Sequence, residues 1–185
     1  MPLPLRSPKI KSIRSLKKIV AQARQAGQSI VLANGCFDLI HVGHIRYLQA
    51  AKKKGNLLVV ALNSDRSVRQ LKGAGRPFLN EQERAFIIAS FWFVDYVTVF
   101  DSLRVDRLLR ILRPDWHVKG ADYTRATVPE KETAKKLGIK TAIVGGPKVH
   151  STSSLIKSIA RKIAYLAGDQ KERSRPSKRT VRKNE

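Results

Sequence analysis

The chain alternates short apolar runs with longer segments of helical period, and this alternation limits its fold more than any other feature. Runs such as Ser29 to Ala33 and Leu57 to Leu62 have the length of buried strands. Between such runs lie segments in which apolar residues recur every three or four positions, for example Ser12 to Ala26. Strands and helices that alternate in this way favour a parallel sheet covered on both faces. We therefore predict an α/β fold with a doubly wound sheet of five parallel strands.

Turn and capping residues give the predicted elements their bounds. Gly27 closes the first helix, and Asn80 with Glu83 forms a capping-box pattern that starts a helix from Glu81 to Phe91. Between residues 72 and 79, a basic stretch with two glycines and a proline predicts a mobile loop. The remaining predicted strands are Asp95 to Phe100, Trp116 to Lys119 and Thr141 to Val144, and the remaining predicted helices are Gly43 to Lys54, Ser64 to Leu71, Leu103 to Leu112, Pro129 to Leu137 and one that starts at Thr152.

The charge of the chain indicates anionic partners. Its 185 residues include 37 Lys and Arg against 14 Asp and Glu, a formal net charge of +23. Such an excess suits nucleotides, phosphosugars, nucleic acid or anionic lipid. Residues 1–20 and 161–185 together supply +12 of it. We therefore expect a basic leader over residues 1–11, one domain over residues 12–166, and a basic, disordered tail over residues 167–185.

The sequence also bears on the cellular location of the protein and on its disulfide and metal content. No apolar run approaches the roughly 20 residues of a membrane-spanning helix, and the amino terminus has charges where a signal peptide is apolar. The single cysteine, Cys36, excludes an internal disulfide framework, and no Cys and His residues have the spacing of zinc ligands. We expect a cytoplasmic protein with no membrane insertion and no metal held by its own side chains.

One segment combines a strand end, a turn and a helix start with two histidines. Residues 34–44 read Asn-Gly-Cys-Phe-Asp-Leu-Ile-His-Val-Gly-His. They leave the first strand at its carboxyl end and enter a helix, where free amides and the helix dipole favour an anion. His41 and His44 can donate hydrogen bonds to phosphate oxygens that gain charge in a transition state, and Gly43 lets a phosphate or base approach the backbone. Structural histidines and zinc ligands share this spacing, so the position of the pair in the fold decides its interpretation.

The chain resembles the nucleotidyltransferase superfamily that has the His-x-Gly-His signature. The residues that match are Gly35 to Asp38, His41 to His44, and Ser151-Thr152-Ser153 before the last helix. Residues 31–156 more specifically resemble the adenylyltransferases that act on D-glycero-β-D-manno-heptose 1-phosphate. The stretches that carry this closer resemblance are Asn34 to Asp38, Leu62 to Asp65, Leu71 to Gly73 with Arg76-Pro77, Glu83-Arg84, and Val118 to Tyr123.

The resemblance implies a Rossmann-like fold, a reaction and a set of site residues. ATP, which carries Mg²⁺, would give its AMP group to a sugar 1-phosphate and release pyrophosphate. His41, His44 and Lys119 would be the catalytic residues. The nucleotide would be bound by Asn34, Gly35, Cys36, Phe37, Asp38, Gly43, Gly120, Asp122, Ser151, Thr152 and Ser153, and the substrate phosphate by Asn63, Asp65, Lys72, Arg76 and Arg84.

Several of these residues have a second interpretation. Lys119 can be a solvated lysine, and Ser151 can be a helix cap without a ligand. The turn from Asn63 to Asp65 can serve only to cap the next helix. Arg84 can support the site from its helix instead of binding a phosphate. Cys36 resembles a nucleophile, but attack by the acceptor phosphate needs no protein nucleophile.

Two departures from the family pattern concern the choice of nucleotide. Ala121 follows Gly120 where the family usually has a second glycine, and the loop of residues 145–150 has Lys148 but lacks the arginine of related cytidylyltransferases. The alternatives are a cytidylyltransferase for glycerol 3-phosphate or a related polyol phosphate, and an adenylyltransferase that acts on a flavin or pantetheine phosphate. A non-enzymatic alternative is a nucleic-acid-binding module that works through the tail, although no basic motif interleaved with aromatic residues supports it. We expect a separate sugar kinase and phosphatase in the pathway, and the sequence leaves a homodimer open.

Overall fold

Strands and helices alternate along the chain, as the apolar pattern predicts. The computed structural model describes residues 6–147 and 152–173, apart from the side chains of residues 153 and 167–173. The described strands are β1 (Ile30–Gly35), β2 (Leu57–Asn63), β3 (Tyr96–Phe100), β4 (Trp116–Lys119) and β5 (Lys140–Ile143), and the described helices are α1 (Ile13–Gln25), α2 (Val42–Lys52), α3 (Asp65–Lys72), α4 (Glu81–Ala89), α5 (Asp106–Leu112), α6 (Lys131–Lys136) and α7 (Thr152–Arg173). The predicted bounds agree to within two residues at most ends, although α5 begins three residues later than predicted. The capping box of Asn80 and Glu83 at the start of α4 is confirmed.

The five strands form one parallel sheet in the order β3-β2-β1-β4-β5. The chain builds outward from β1 through β2 to β3, then returns to the other side of β1 for β4 and β5. The direction of winding therefore reverses between β1 and β4. In doubly wound sheets the ligand crevice lies beyond the carboxyl ends of the strands at this point. The predicted doubly wound sheet is confirmed.

Two apolar layers cover the two faces of the sheet. Successive residues of a strand point to opposite faces, so neighbouring residues of β1 enter different layers. Ile30 packs in one layer with Leu16 of α1. Val31 packs in the other with Leu48 of α2 and Ile88 of α4. Because both faces are buried, the strands consist of nearly continuous apolar residues, as parallel sheets require.

The residues just before α1 take part in the sheet. Ile10 forms a parallel bridge with Val97 of β3. The Lys11 amide donates to the Val97 carbonyl at 2.8 Å, and the Val97 amide donates to the Lys9 carbonyl at 2.9 Å. The end of the predicted leader, residues 1–11, is thus ordered against β3 because an outer strand offers unpaired backbone groups.

The last helix belongs to a second unit of the chain. Residues 1–150 form one compact unit and residues 151–185 form another. α7 continues to Arg173, beyond the predicted boundary at residue 166 and into the predicted tail. Four of the six residues from 167 to 172 are good helix formers, whereas Gly168 and Asp169 are not. In the part of the chain that the structure describes, no helix has the length and apolar character to cross a membrane.

Candidate functional site

His41 caps the amino-terminal end of α2. Its backbone is extended, and its Nδ1 accepts a hydrogen bond from the Gly43 amide at 3.1 Å. Because Nδ1 accepts, Nε2 is the ring nitrogen that carries a hydrogen. This histidine therefore takes the place of the usual Ser, Thr, Asp or Asn cap. It also puts a donor at a helix end whose dipole favours anions.

His44 stacks on His41 at the same helix end. The two ring centroids are 4.0 Å apart with planes inclined at 26°, and the Phe37 ring lies 5.2 Å from His44. Burial, with a smaller contribution from His41, lowers the pKa of His44 to about 4, and Asp122 acts in the opposite direction. His44 is therefore neutral at pH 7. It offers an imidazole N–H, not a fixed charge, to a phosphate oxygen.

The turn between β1 and α2 is tight. Phe37 is buried and has a φ of +48°, in the left-handed region that residues other than glycine avoid. A Cβ at Gly35 would lie only 3.1 Å from the Phe37 ring, so a glycine lets the ring pack on the end of the strand. Strained backbone of this kind clusters at functional sites. No residue pattern predicts this conformation.

Asp38 attaches a neighbouring loop to the same turn. Its buried carboxylate accepts hydrogen bonds from Arg76 Nε at 2.5 Å, the Phe78 amide at 2.7 Å and the Leu79 amide at 3.3 Å. A buried carboxylate requires such donors, because an unpaired one is costly. The predicted ligand contacts of Asp38 and Arg76 stay predictions, and in the structure both side chains have partners within the protein. The Asp38 side chain binds the loop of residues 73–79, and Arg76 binds Asp38.

Arg84 supports the site from α4. Its side chain is 0% exposed and donates to the Leu79 carbonyl at 3.0 Å, the Cys36 carbonyl at 2.6 Å and Asp65 Oδ1 at 2.7 Å. One guanidinium thus joins the loop, the first motif and the start of α3. The predicted contact of Arg84 with a substrate phosphate stays a prediction, while in the structure these partners enclose the side chain. Asp65, also predicted to bind that phosphate, is the counter-ion of Arg84.

Asn63 and Cys36 face each other across the ends of β2 and β1. Asn63 is buried and donates from Nδ2 to the Ser102 carbonyl at 2.9 Å, and its Oδ1 lies 4.0 Å from Cys36 Sγ. Burial raises the pKa of the Cys36 thiol, although the charges of Lys72 and Arg84 act against that shift. The thiol is therefore neutral at pH 7 and is a poor nucleophile.

Lys72 is exposed and joins none of the ion pairs of the described residues, so it is available to a phosphate.

Lys119 ends β4 in a buried ion pair. Its Nζ lies 3.2 Å from Glu130 Oε2 and 5.0 Å from the centre of the Tyr123 ring. Burial lowers the pKa of Lys119, and the negative charge of Glu130 opposes that shift. Lys119 is therefore not a solvated lysine. Sequence reasoning missed Glu130, because a glutamate between a proline and a short helix has no spacing that marks it.

Further hydrogen bonds connect β4 with β1 and α2. His117 Nε2 lies 3.0 Å from Asn34 Oδ1, and the Tyr47 hydroxyl donates to the Val118 carbonyl at 2.8 Å. Burial and the neighbouring charge of Lys119 lower the pKa of His117 to about 4. The neutral His117 ring therefore donates from Nε2 to Asn34. The amide oxygen of Asn34, a residue predicted to bind the nucleotide, is thus used within the fold.

Several predicted residues of the first compact unit lie near the carboxyl ends of β1, β2 and β4, the edge at which doubly wound sheets have their ligand crevice. Electrostatic interactions join His44 with Asp122 and Cys36 with Lys119, so the segment after β4 faces the first motif. The positive charge of Lys72, the last residue of α3, lowers the pKa of Cys36 against the effect of burial. The predicted nucleotide-binding glycines in these segments are Gly35, Gly43 and Gly120. This edge of the sheet therefore brings together two imidazoles, two lysines and a helix end, which together suit a polyphosphate.

The second predicted motif, Ser151-Thr152-Ser153, lies only partly within the described residues. Ser151 lies outside the described residues, Thr152 begins α7, and the side chain of Ser153 is not described. The binding of outer phosphates by these three residues stays a prediction. Among the described side chains, no group of three His, Cys, Asp or Glu is placed to hold a metal ion.

The sequence is similar to known proteins over most of its length. Residues 32–163 match the family described as cytidylyltransferase-like. The chain is 45% identical over 151 residues to the bifunctional protein HldE of Syntrophotalea carbinolica, a match that covers 82% of this chain and 31% of the relative. It is also 45% identical over 149 residues to HldE of Helicobacter pylori, which covers 80% and 31%. The chain thus spans about a third of the length of these curated relatives.

Two solved structures resemble the fold. The lipopolysaccharide core biosynthesis protein of Thermoplasma volcanium superimposes with a TM-score of 0.58 at 27% identity, over 66% of this chain and 100% of that chain. Pantoate-β-alanine ligase of Francisella tularensis, with a TM-score of 0.57 at 15% identity, covers 80% of this chain and 69% of that chain and supports the fold alone. The family match begins inside β1 and includes both histidines, the crevice and the start of α7. The chain belongs to the cytidylyltransferase-like family.

Proposed function

We propose that this protein transfers AMP from ATP to D-glycero-β-D-manno-heptose 1-phosphate, which forms ADP-heptose and releases pyrophosphate. The observation that carries the proposal is the stacked pair of His41 and His44 at the start of α2, at the carboxyl end of the central strand. Two imidazoles and a helix end are arranged to donate hydrogen bonds to phosphate oxygens.

The reaction needs no covalent intermediate with the protein. A phosphate oxygen of the acceptor attacks the α-phosphorus of ATP in line, the bond from that phosphorus to the β-phosphate oxygen breaks, and pyrophosphate leaves with the electron pair. Negative charge grows on the oxygens around the α- and β-phosphates as the bond breaks. Donors from His41 and His44 stabilise that charge, while Lys72 and Lys119 supply positive charge to the phosphates.

Magnesium enters with ATP as part of the substrate. Mg²⁺ prefers oxygen ligands and keeps several waters, so the triphosphate itself can hold it.

The choice of acceptor is supported by the resemblance to heptose 1-phosphate adenylyltransferases and by two groups of relatives. The HldE proteins match over 82% and 80% of this chain, and the Thermoplasma volcanium structure is a lipopolysaccharide core biosynthesis protein. We further propose that the catalytic domain spans residues 12–166 with residues 151–153 at the outer phosphates. The protein would work in the cytoplasm, with a kinase and a phosphatase supplying the sugar 1-phosphate.

The proposal is tested by pyrophosphate release from ATP and heptose 1-phosphate with magnesium. Loss of one such donor costs about 10²–10³ in kcat, so we expect His44→Ala to fall in that range. Gln49→Ala, which alters an exposed residue of the same helix, is the control and should keep full activity. Full activity of His44→Ala would refute the role of the histidine. Turnover with CTP and none with ATP would refute the adenylyl transfer.

A further inference from the structure

Glu130 is a buried acidic residue close to the end of β4, with 1% of its surface exposed. One oxygen lies 3.2 Å from Lys119 Nζ, and the other accepts a hydrogen bond from the Val105 amide at 3.3 Å. Isolated buried carboxylates are costly, so a buried glutamate is normally paired. Here the partner is the lysine that ends β4, next to the point where the winding of the sheet reverses.

The surroundings of Glu130 fix its position from two sides. Arg104 donates to the carbonyl of Pro129, the residue before Glu130. Thr133, three residues later, donates to Asp106 of α5. The segments before α5 and α6 are therefore joined by hydrogen bonds on both sides of the glutamate. A carboxylate held in this way can set the place of a long, flexible lysine side chain.

Lys119 is buried beside Tyr123 and does not extend into bulk solvent. Its ammonium lies against the Tyr123 ring and interacts electrostatically with Cys36 of the first motif. A lysine has many rotamers, so fixing one of them before a ligand arrives lowers the entropic cost of binding.

We propose that Glu130 is a positioning residue that holds Lys119 Nζ at the phosphate side of the crevice and compensates its charge there. This inference rests on the proposed function, because it assigns Lys119 to the phosphates of the nucleotide. Glu130 itself touches no substrate.

The charge balance around Lys119 gives the proposal a pH signature. The groups that act on the ammonium are Glu130, Asp106, Cys36, Tyr123 and His117. Burial lowers the Lys119 pKa, and Glu130 makes the largest contribution in the opposite direction. Glu130→Gln keeps the shape of the side chain and its acceptor for the Val105 amide but removes the charge. Lys119 in this variant gives up its proton at lower pH, so its attraction for a phosphate is lost as the pH rises.

The experiment measures the Kd of ATP with magnesium from pH 6.5 to 9 for the full-length wild type and Glu130→Gln. We expect the Kd of the variant to rise less than about threefold at pH 6.5 and about tenfold at pH 9, since one unit of pKa changes the protonated fraction up to tenfold. Glu130→Asp, which keeps the charge, should restore part of the affinity at pH 9. Glu132→Gln removes an exposed charge from α6 and should match the wild type.

A Lys119→Met background shows whether Glu130 acts through the lysine. In that background Glu130→Gln should not weaken binding further, whereas additive losses would overturn the proposal. Circular dichroism identifies variants that remain folded. A folded Glu130→Gln whose Kd differs from the wild type by the same factor at every pH would also overturn it. If the wild type binds neither ATP nor CTP, the proposed function and this inference are both wrong; if it binds and Glu130→Gln binds equally well, only the inference is wrong.

Discussion

Replacement of Arg84 by methionine should destabilise the protein more than any exposed charge replacement. Methionine has a similar length, so the packed volume is nearly kept while every polar contact is lost. The Leu79 carbonyl, the Cys36 carbonyl and the Asp65 carboxylate would each lose a donor.

The size of the effect follows from the partners. Breaking a buried charge pair by removing one member costs about 3–5 kcal/mol. The Asp65 side chain is 26% exposed and can regain water, which keeps the total within that range. A loss of this size corresponds to a drop in Tm of roughly 6–20 °C, at about 2–4 °C for each kcal/mol in a chain of this length.

Urea unfolding followed by tryptophan fluorescence measures the difference. Arg66→Met is the matched control, because Arg66 also pairs with an aspartate, Asp101, but both side chains are at least half exposed. Exposed pairs add little, so we expect no resolved change in its unfolding midpoint. Adding Asp65→Asn to Arg84→Met should recover part of the loss, since it removes the unpaired carboxylate. Equal midpoints for Arg84→Met and Arg66→Met would refute the support that we assign to Arg84.

Two further predictions concern stability. A Cβ at Gly145 would lie 3.0 Å from the Tyr47 Cα at a φ of +99°, whereas one at Gly146, with a φ of +72°, would meet nothing within 4 Å. Gly145→Ala should therefore lower the free energy of unfolding more than Gly146→Ala, which carries only a backbone strain of about 1 kcal/mol; equal losses would contradict the close approach. The second prediction is a pH dependence. The pKa of His117 falls from 6.5 to about 4 on folding, so its contribution is complete above pH 6.5 and is lost as the pH drops toward 4. Between pH 7.5 and 5, wild type should lose about 2 kcal/mol more than His117→Asn in urea titrations, and parallel losses would contradict the pKa shift.

The fold was largely predictable because its signals are local. The period of the apolar residues determines the elements, and the capping box of Asn80 and Glu83 marks the start of α4 within four residues. The turn that contains His41 and His44 was predictable for the same reason, since a strand end, glycines and a helix start follow one another directly. Local patterns therefore located the crevice.

The distribution of roles among the charged residues was not predictable in the same way. Arginine binds a phosphate and a carboxylate with the same donors, so its partner depends on which acceptor the fold brings close. Asp38 and Arg76 are 38 residues apart in sequence, and Arg84 meets Cys36 from 48 residues away. Glu130 lies beside Lys119 only because α6 follows a loop that turns back over the end of β4. These pairings arise from tertiary packing, which no spacing rule describes.

The short pairing of residues 9–11 with β3 affects how separate copies of the protein behave toward each other. β3 is the outermost strand on its side of the sheet, and such a strand can accept an extended segment of another molecule. Ile10 already occupies part of this edge, and Lys9 and Lys11 place positive charges beside it. A second copy would meet both a filled backbone position and like charge. Residues 9–11 therefore leave less of the β3 edge open to a strand of another copy.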